Sequence, residues 1–383
     1  LFTNKGLEFK NYQELWQWSV TEIEDFWESI WHYFKVTSHQ PYTKVLSSYE
    51  MPNSKWFEGA TINYAEHLFK KAKDNETAII FGNETGLNQE ISWLELKTKV
   101  ASLATYFKSI GVIKDDRVVA FLPNIPEATI AFLAVNSIGA IWSSTSPDFG
   151  SESVVDRFAQ IEPKVLISVD GYQYNGKPYD KSNIVNAIVD ALPTLKKVLI
   201  LPYLNANALD NFPKHYENIN HIFNTVSGEL TFEPVEFNHP IWVLYSSGTT
   251  GLPKAIVHSH GGILLEHLKY MAFHNDVHEG ERFFWFSTTG WMMWNFVQAA
   301  FLMGASIVLY DGSPTYPNFN KLWQFSEDVK IDHFGTSAPY LVACMKKGLF
   351  PKSEFDLTSI RSISSTGAPL PPETFDYVYS NIK

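Results

Sequence analysis

A chain of 383 residues exceeds what one hydrophobic core usually serves, so at least two subdomains are expected. Forty-one acidic against thirty basic residues leave a net charge of −11, which argues against a nucleic-acid or membrane partner; any anionic ligand must be met by local positive groups. A single cysteine excludes an intrachain disulfide and cysteine-rich metal sites, and no leader pattern or membrane-length apolar run is present, so a soluble, cytoplasmic protein is expected.

In residues 1–72, Leu15, Trp18, Ile23, Phe26, Trp27, Ile30 and Trp31 recur at helical spacing. They predict an amphipathic helical region whose tryptophans form a packing face. Residues 73–240 are expected to make a first α/β subdomain. Its pattern is a strand at 118–122, a break at Pro123-Asn124, a helix at 127–138, a Gly139-Ala140 cap and a strand from Ile141 ending at Ser146-Pro147. Further strands are predicted at 165–169 and 197–201, a polar loop at 170–177, and a polar link over 205–237.

Residues 241–383 are expected to form the second α/β subdomain. After strands at 241–245 and 255–257, the earlier order recurs. A strand at 283–286, a Thr288-Thr289-Gly290 loop, a helix at 291–303, a Gly304-Ala305 cap and a strand at 306–310 end at Ser313-Pro314. The repetition predicts an α/β fold of two related layers with mostly parallel sheets. Strands at 331–335 and 360–364 precede a helix opened by Pro371-Pro372, with Phe375, Val378, Tyr379 and Ile382 on one face; Cys344 is expected in the core beside Val342 and Met345. The chain starts without methionine and stops within that helical pattern, as a piece of a longer protein would.

The most informative run is Tyr245-Ser246-Ser247-Gly248-Thr249-Thr250-Gly251-Leu252-Pro253-Lys254, set between two short strands. It offers a polyanion bare backbone N–H groups, hydroxyl donors and one point charge, as a phosphate cradle does. A polar hairpin turn uses similar residues, but four consecutive Ser/Thr/Gly alternations ending in Pro-Lys favour the cradle. The common nucleotide loop is a poorer match, because no Gly-Lys-[Ser/Thr] triplet occurs and the segment after Lys254 reads as a strand. His260, His267 and His274 fall seven residues apart, which puts helical neighbours about 10 Å from each other, too far to share one metal ion. No metal site is therefore expected at these histidines.

The run resembles the signature of the adenylate-forming enzymes, the superfamily of acyl-CoA synthetases, luciferases and peptide-synthetase adenylation domains. It departs at Ala255, where glycine is usual. The resemblance implies the large N-terminal domain of that fold, with Lys254, Thr249 and Thr250 as catalytic residues. Ser246, Ser247, Gly248, Thr249, Thr250, Gly251 and Lys254 would hold the ATP phosphates. Gly367-Ala368-Pro369 would lie against adenine, although acetyl-CoA synthetases commonly carry glutamate at the middle position. Gly290, Trp291, Met292 and Met293 would line the acid pocket, where acetyl-CoA synthetases continue with small residues. Lys177, in Tyr174-Asn175-Gly176-Lys177, and Arg157 would meet the CoA phosphate.

Trp56–Glu66, the Gly290–Trp294 run and Asp311-Gly312-Ser313-Pro314 are most similar to the acetoacetate-activating members. That implies acetoacetate, ATP and CoA as substrates, giving acetoacetyl-CoA, AMP and pyrophosphate. Acetyl- or propionyl-CoA synthesis, or a non-catalytic nucleotide-binding domain, are the alternatives. Adenylation needs no general base, since the attacking carboxylate is already ionised near neutral pH; what it needs is fixed donors and cations around the triphosphate. The resemblance also implies Mg2+, an acidic Mg2+ residue and a mobile C-terminal domain beyond Lys383, and therefore weak or absent turnover by these 383 residues alone.

Overall fold

The computed structural model describes residues 6–246 and 251–383. Two helices open the fold, α1 (Tyr12–Thr21) and α2 (Ile23–Tyr33). The first buries no residue and the second buries Ile30 and Trp31. Trp31 stacks on Phe57 at 4.6 Å, while Trp18, Phe26, Trp27 and Trp56 form an edge-to-face chain. These tryptophans are a packing face.

The first half then begins with an antiparallel hairpin, β1 (Thr77–Asn83) and β2 (Gly86–Ser92), followed by α3 (Trp93–Ser109). Ser92 caps α3 by accepting from the Glu95 N–H, and Leu96, Val100, Leu103 and Phe107 supply the buried stripe. Next come β3 (Arg117–Phe121), α4 (Pro126–Ser137), β4 (Ile141–Thr145), α5 (Ser151–Phe158) and β5 (Val165–Val169). The helix α4 is apolar all round because it lies inside the core. A short hairpin, β6 (Gly171–Tyr174) and β7 (Lys177–Asp180), precedes β8 (Lys197–Leu201) and β9 (Glu217–Asn218).

The second half repeats the plan. The hairpin β10 (Pro240–Ser246) and β11 (Lys254–Ser259) leads into α6 (His260–Lys269). Then follow β12 (Arg282–Trp285), α7 (Met292–Gln298), β13 (Ser306–Asp311), α8 (Lys321–Asp328), β14 (His333–Ser337), α9 (Ala338–Lys346), β15 (Ser362–Thr366) and α10 (Pro372–Asn381).

The sheets explain why a division at residue 240 does not follow the strands. One sheet has the order β9-β8-β5-β3-β4-β10-β11 and the other β15-β14-β12-β13-β1-β2. Apart from the outermost β9, which has no counterpart, the orders correspond position by position, with parallel central strands and an antiparallel hairpin at one edge. Each hairpin, however, pairs with the sheet of the other half: β10 joins β4, and β1 joins β13. The halves thus exchange their leading hairpins. The segment expected as a link at 205–237 is also built in, since it contains β9 and Val235 pairs with Ile62.

An indole–phenyl joint ties the two halves together. Trp142 stacks on Trp294 at 6.2 Å with Phe132 edge-on to both. The Trp294 indole N–H donates to Asn124 Oδ1 at 3.1 Å, and Asn124 Nδ2 donates to the Tyr310 carbonyl at 3.3 Å. Cys344 is buried in a second cluster with Trp323, Phe334 and Leu341, where burial pushes its thiol up to about 11.

Candidate active site

The hydroxyl-rich run begins at the end of β10 and ends at the start of β11. Ser246 and Lys254 face each other in register at the mouth of this hairpin. Ser247, Gly248, Thr249 and Thr250 lie outside the described residues. Gly251 has φ +151°, a backbone setting that disfavours a side chain. Both flanks are anchored to the end of α5 and the 3-10 turn after it: the Tyr245 hydroxyl donates to the Arg157 carbonyl at 2.6 Å, and Gln160 Nε2 donates to the Pro253 carbonyl at 2.9 Å. Lys254 is exposed and, among the described residues, has no ion-pair partner. A cation held at a fixed hairpin mouth and left unneutralised is suited to an arriving polyanion.

From β11 the chain turns directly into α6, with Ser259 capping the helix through the Gly262 N–H. This helix supplies one wall of a cavity of about 420 Å3, through Ile263, Glu266 and His267. Tyr270 and Asn275 beyond α6, Met292, Met293 and Phe296 of α7, Trp285 at the end of β12, and Ser364 to Thr366 at the end of β15 complete it. Ligands of α/β sheets bind at such carboxyl ends of strands. Of the expected acid-pocket residues, Met292 and Met293 line this cavity. Trp291 stands outside it, 63% exposed at the start of α7. Gly290 faces the other sheet, where a Cβ would lie 3.7 Å from the Ser146 nitrogen. The loop before it is pinned there by Ser144 Oγ donating to the Thr289 carbonyl and Thr289 Oγ1 donating to the Leu122 carbonyl, both at 2.7 Å.

Ser365 also lines an adjoining cavity of about 610 Å3, together with Ala368, Pro369, Leu370, Phe375 and Tyr379. The expected adenine turn therefore borders the same stretch of β15 as the first cavity. Gly367 there adopts φ +88°. The two expected CoA contacts are placed separately. Arg157 is held by Ser153, donating to its carbonyl and hydroxyl at 2.6 Å, and stacks over Phe149 at 4.9 Å. Lys177 is exposed on β7, opposite Tyr174. The expected loop at 170–177 is in fact the β6–β7 hairpin, turning at Asn175 and Gly176, both with positive φ.

Three residues of the 420 Å3 wall carry no sequence signal for that role: His267, Tyr270 and Phe296. His260 and His267 do share α6 and are buried, whereas His274 ends a π-helical turn and is exposed. Burial pushes His267 down to about 3, so its imidazole is neutral. Among the described residues no group of three His, Cys, Asp or Glu side chains could hold a metal ion.

A third cavity, about 380 Å3, opens at the ends of β3, β4, β12 and β13 and is lined by Tyr172, Tyr174, Tyr179 and Asp311. Burial raises the Asp311 carboxyl to about 7, while the Tyr203 hydroxyl donates to it at 2.8 Å. A carboxyl with a raised folded-state pKa binds more protons folded than unfolded, so its contribution is fully present below about pH 4 and is lost as pH rises through about 7. Asp311→Asn keeps an acceptor for Tyr203. It is expected to raise stability at pH 8 by on the order of 2 kcal/mol and to leave it nearly unchanged at pH 4. Urea unfolding of both proteins at the two pH values checks this; a difference that does not shrink toward pH 4 would count against it.

Residues 66–381 match the family model described as AMP-binding enzyme, and residues 12–68 match that of the acetyl-coenzyme A synthetase N-terminus. The chain is 40% identical to acetoacetyl-CoA synthetase of Gallus gallus and 41% identical to the acetoacetyl-coenzyme A synthetase of Rhizobium meliloti (strain 1021). Each alignment covers 99% of the chain and 58% of the relative. The solved acetoacetyl-CoA synthetase from Streptomyces lividans superposes with a TM-score of 0.95 at 44% identity, over 99% of this chain and 58% of that one. The chain thus spans somewhat more than half the length of these relatives. With a family model covering most of its length and the expected two-layer α/β architecture in place, the chain belongs to the AMP-binding enzyme family.

Proposed function

We propose that the protein to which these residues belong is a cytoplasmic, AMP-forming acetoacetate–CoA ligase. The carboxylate of acetoacetate attacks the α-phosphorus of ATP and expels pyrophosphate. The thiolate of CoA then attacks the acyl carbon of the adenylate and expels AMP, leaving acetoacetyl-CoA. The observation that carries this reading is one continuous unit: the β10–β11 hairpin presents Lys254, and the helix that follows it walls the Met292–Met293 cavity. Phosphate and acid sites are thereby set by adjacent elements, as in-line attack requires. ATP and CoA use follows from the family, and the choice of acid from the names of the relatives. A magnesium ion accompanying ATP would offset phosphate charge, but the described residues bring no ligand cluster together for it. No helix among them is long and apolar enough to cross a membrane.

The test is ATP–pyrophosphate exchange by the full-length protein, driven in turn by acetoacetate, acetate, propionate and malonamate. The last is included because a malonamoyl-CoA synthetase of Penicillium aethiopicum is 31% identical to the chain. Acetoacetate is expected to drive the fastest exchange, and acetate or propionate in first place would replace this reading. Met292→Ala enlarges the cavity and is expected to shift the ranking toward longer acids, changing the acetoacetate-to-hexanoate ratio by about tenfold, the scale of a methylene or two in a hydrophobic pocket. An unchanged ranking would return Met292 to simple packing.

A further inference from the structure

The 420 Å3 cavity is longer than acetoacetate. Ile263, Glu266, His267 and Tyr270 recur in its lining at the spacing of one helical face, and that wall alone runs about 10 Å at ~1.5 Å of rise per residue. Three chain bonds reach about 3.5 Å, so the four carbons of acetoacetate cover roughly a third of it. Hydrogen bonds fix the direction of the cavity. Ser364 to Thr366 close it at the end of β15, beside the Gly367-Ala368-Pro369 turn. Asn275, also in the lining, donates its N–H to the Tyr270 carbonyl at 2.9 Å. The next residue, Asp276, accepts from Arg361 at its carbonyl (3.0 Å) and its carboxylate (2.8 Å), and Arg361 directly precedes β15. The Tyr270–Asn275 end therefore stands toward the beginning of that strand, away from the expected nucleotide turn.

The chemistry of the lining changes along this length. Its α7 part is apolar, made of Met292, Met293 and Phe296. At the far end the Tyr270 ring meets Phe296 edge-on at 5.5 Å, and the Tyr270 hydroxyl has no hydrogen-bond partner among the described residues. In a side chain 42% exposed, a hydroxyl without a protein partner is left to solvent or to a ligand. Glu266 of the same wall is ion-paired with Lys269 at 3.1 Å, and its carboxylate opposes a second carboxylate on the ligand. We propose that the site also activates medium-chain acids, about eight carbons long, that carry an uncharged hydroxyl at the far end, where Tyr270 meets it. The carboxylate at the near end bonds to the α-phosphorus of ATP as the bond to pyrophosphate breaks, the same exchange as with acetoacetate. The inference rests on this cavity being the acid site of an adenylate-forming enzyme.

ATP–pyrophosphate exchange by the full-length protein with octanoate, 8-hydroxyoctanoate, octanedioate and acetoacetate tests it. 8-Hydroxyoctanoate is expected to drive exchange about fivefold faster than octanoate, the worth of one hydrogen bond, and octanedioate to be the slowest of the four. Exchange with acetoacetate but with neither eight-carbon monoacid overturns the proposal, as does octanoate matching its hydroxy analogue or octanedioate outpacing both. Tyr270→Phe removes the hydroxyl and keeps the ring against Phe296. It is expected to bring the rates with octanoate and 8-hydroxyoctanoate together. A proportional loss with both acids, leaving their ratio intact, would give Tyr270 a merely structural role and overturn the proposal. A full-length protein that exchanges with none of the four acids instead removes the functional reading on which this rests.

Discussion

Lys254→Ala in the full-length protein is expected to slow ATP–pyrophosphate exchange about a hundredfold, the usual cost of removing one preorganised charge from a site of developing negative charge. The fold should not notice. Lys254 is exposed at the mouth of a hairpin, its backbone pairing with Ser246 does not involve the side chain, and it has no ion-pair partner among the described residues. Surface changes of that kind usually alter stability by less than about 0.5 kcal/mol. Activity and stability are thus expected to part company, which a packing residue could not achieve. Because a lysine acts on the triphosphate as a point charge, Lys254→Arg is expected to restore only part of the rate. Exchange at the unsubstituted rate in Lys254→Ala would remove this residue from the phosphate site.

How much of this was readable from the residues follows from the range of the forces involved. Strands at 165–169 and 197–201 appear where the pattern placed them, because buried parallel strands are continuous apolar runs bounded by breakers. The strands expected at 331–335 and 360–364 begin two residues later, at His333 and Ser362, which makes Ser337 the last strand residue and the cap of α9. The helix expected over 291–303 changes after Gln298 into a 3-10 segment, Ala299–Met303, stopped by left-handed Gly304. Which sheet a hairpin joins is not a local property. Nothing in 77–92 or 240–259 states that each will pair with the other half. The 420 Å3 cavity is similarly non-local, joining α6 and α7 to residues 364–366. The turn at Asn175-Gly176, by contrast, carried a local hairpin signature that reading 170–177 as a loop passed over.

The hairpin exchange leads to the second large effect, at Glu84. The β1–β2 hairpin occupies in one sheet the position that the β10–β11 hairpin occupies in the other. There the chain supplies its own anion. The buried Glu84 carboxylate accepts from the Asn175 N–H at 2.5 Å, the Gly176 N–H at 2.7 Å and the Ser313 N–H at 2.8 Å. It thus joins the β6–β7 hairpin to the Asp311-Gly312-Ser313 loop. Glu84→Ala removes the acceptor of three N–H groups at once, one of them buried and two part-buried, and is expected to cost about 3 kcal/mol, since charged hydrogen bonds are worth about 1.5–3 kcal/mol each but are not additive. Gly312 adds a second handle: its φ is +127°, and a Cβ there would stand 2.4 Å from Glu84 Cγ. Gly312→Ala is therefore expected to dislodge the same carboxylate, and the double variant to cost clearly less than the two single losses combined. Urea unfolding of the four proteins measures this cycle, and amide exchange at Asn175, Gly176 and Ser313 should quicken in each variant. Additive losses, or a Glu84→Ala cost below about 1 kcal/mol, would mean that the three N–H groups find other acceptors. A clamp confirmed in this way would explain how one fold plan carries two different hairpins: in one the anion is a glutamate built into the chain, and in the other the exposed Lys254 is left for the anion that the proposed reaction brings.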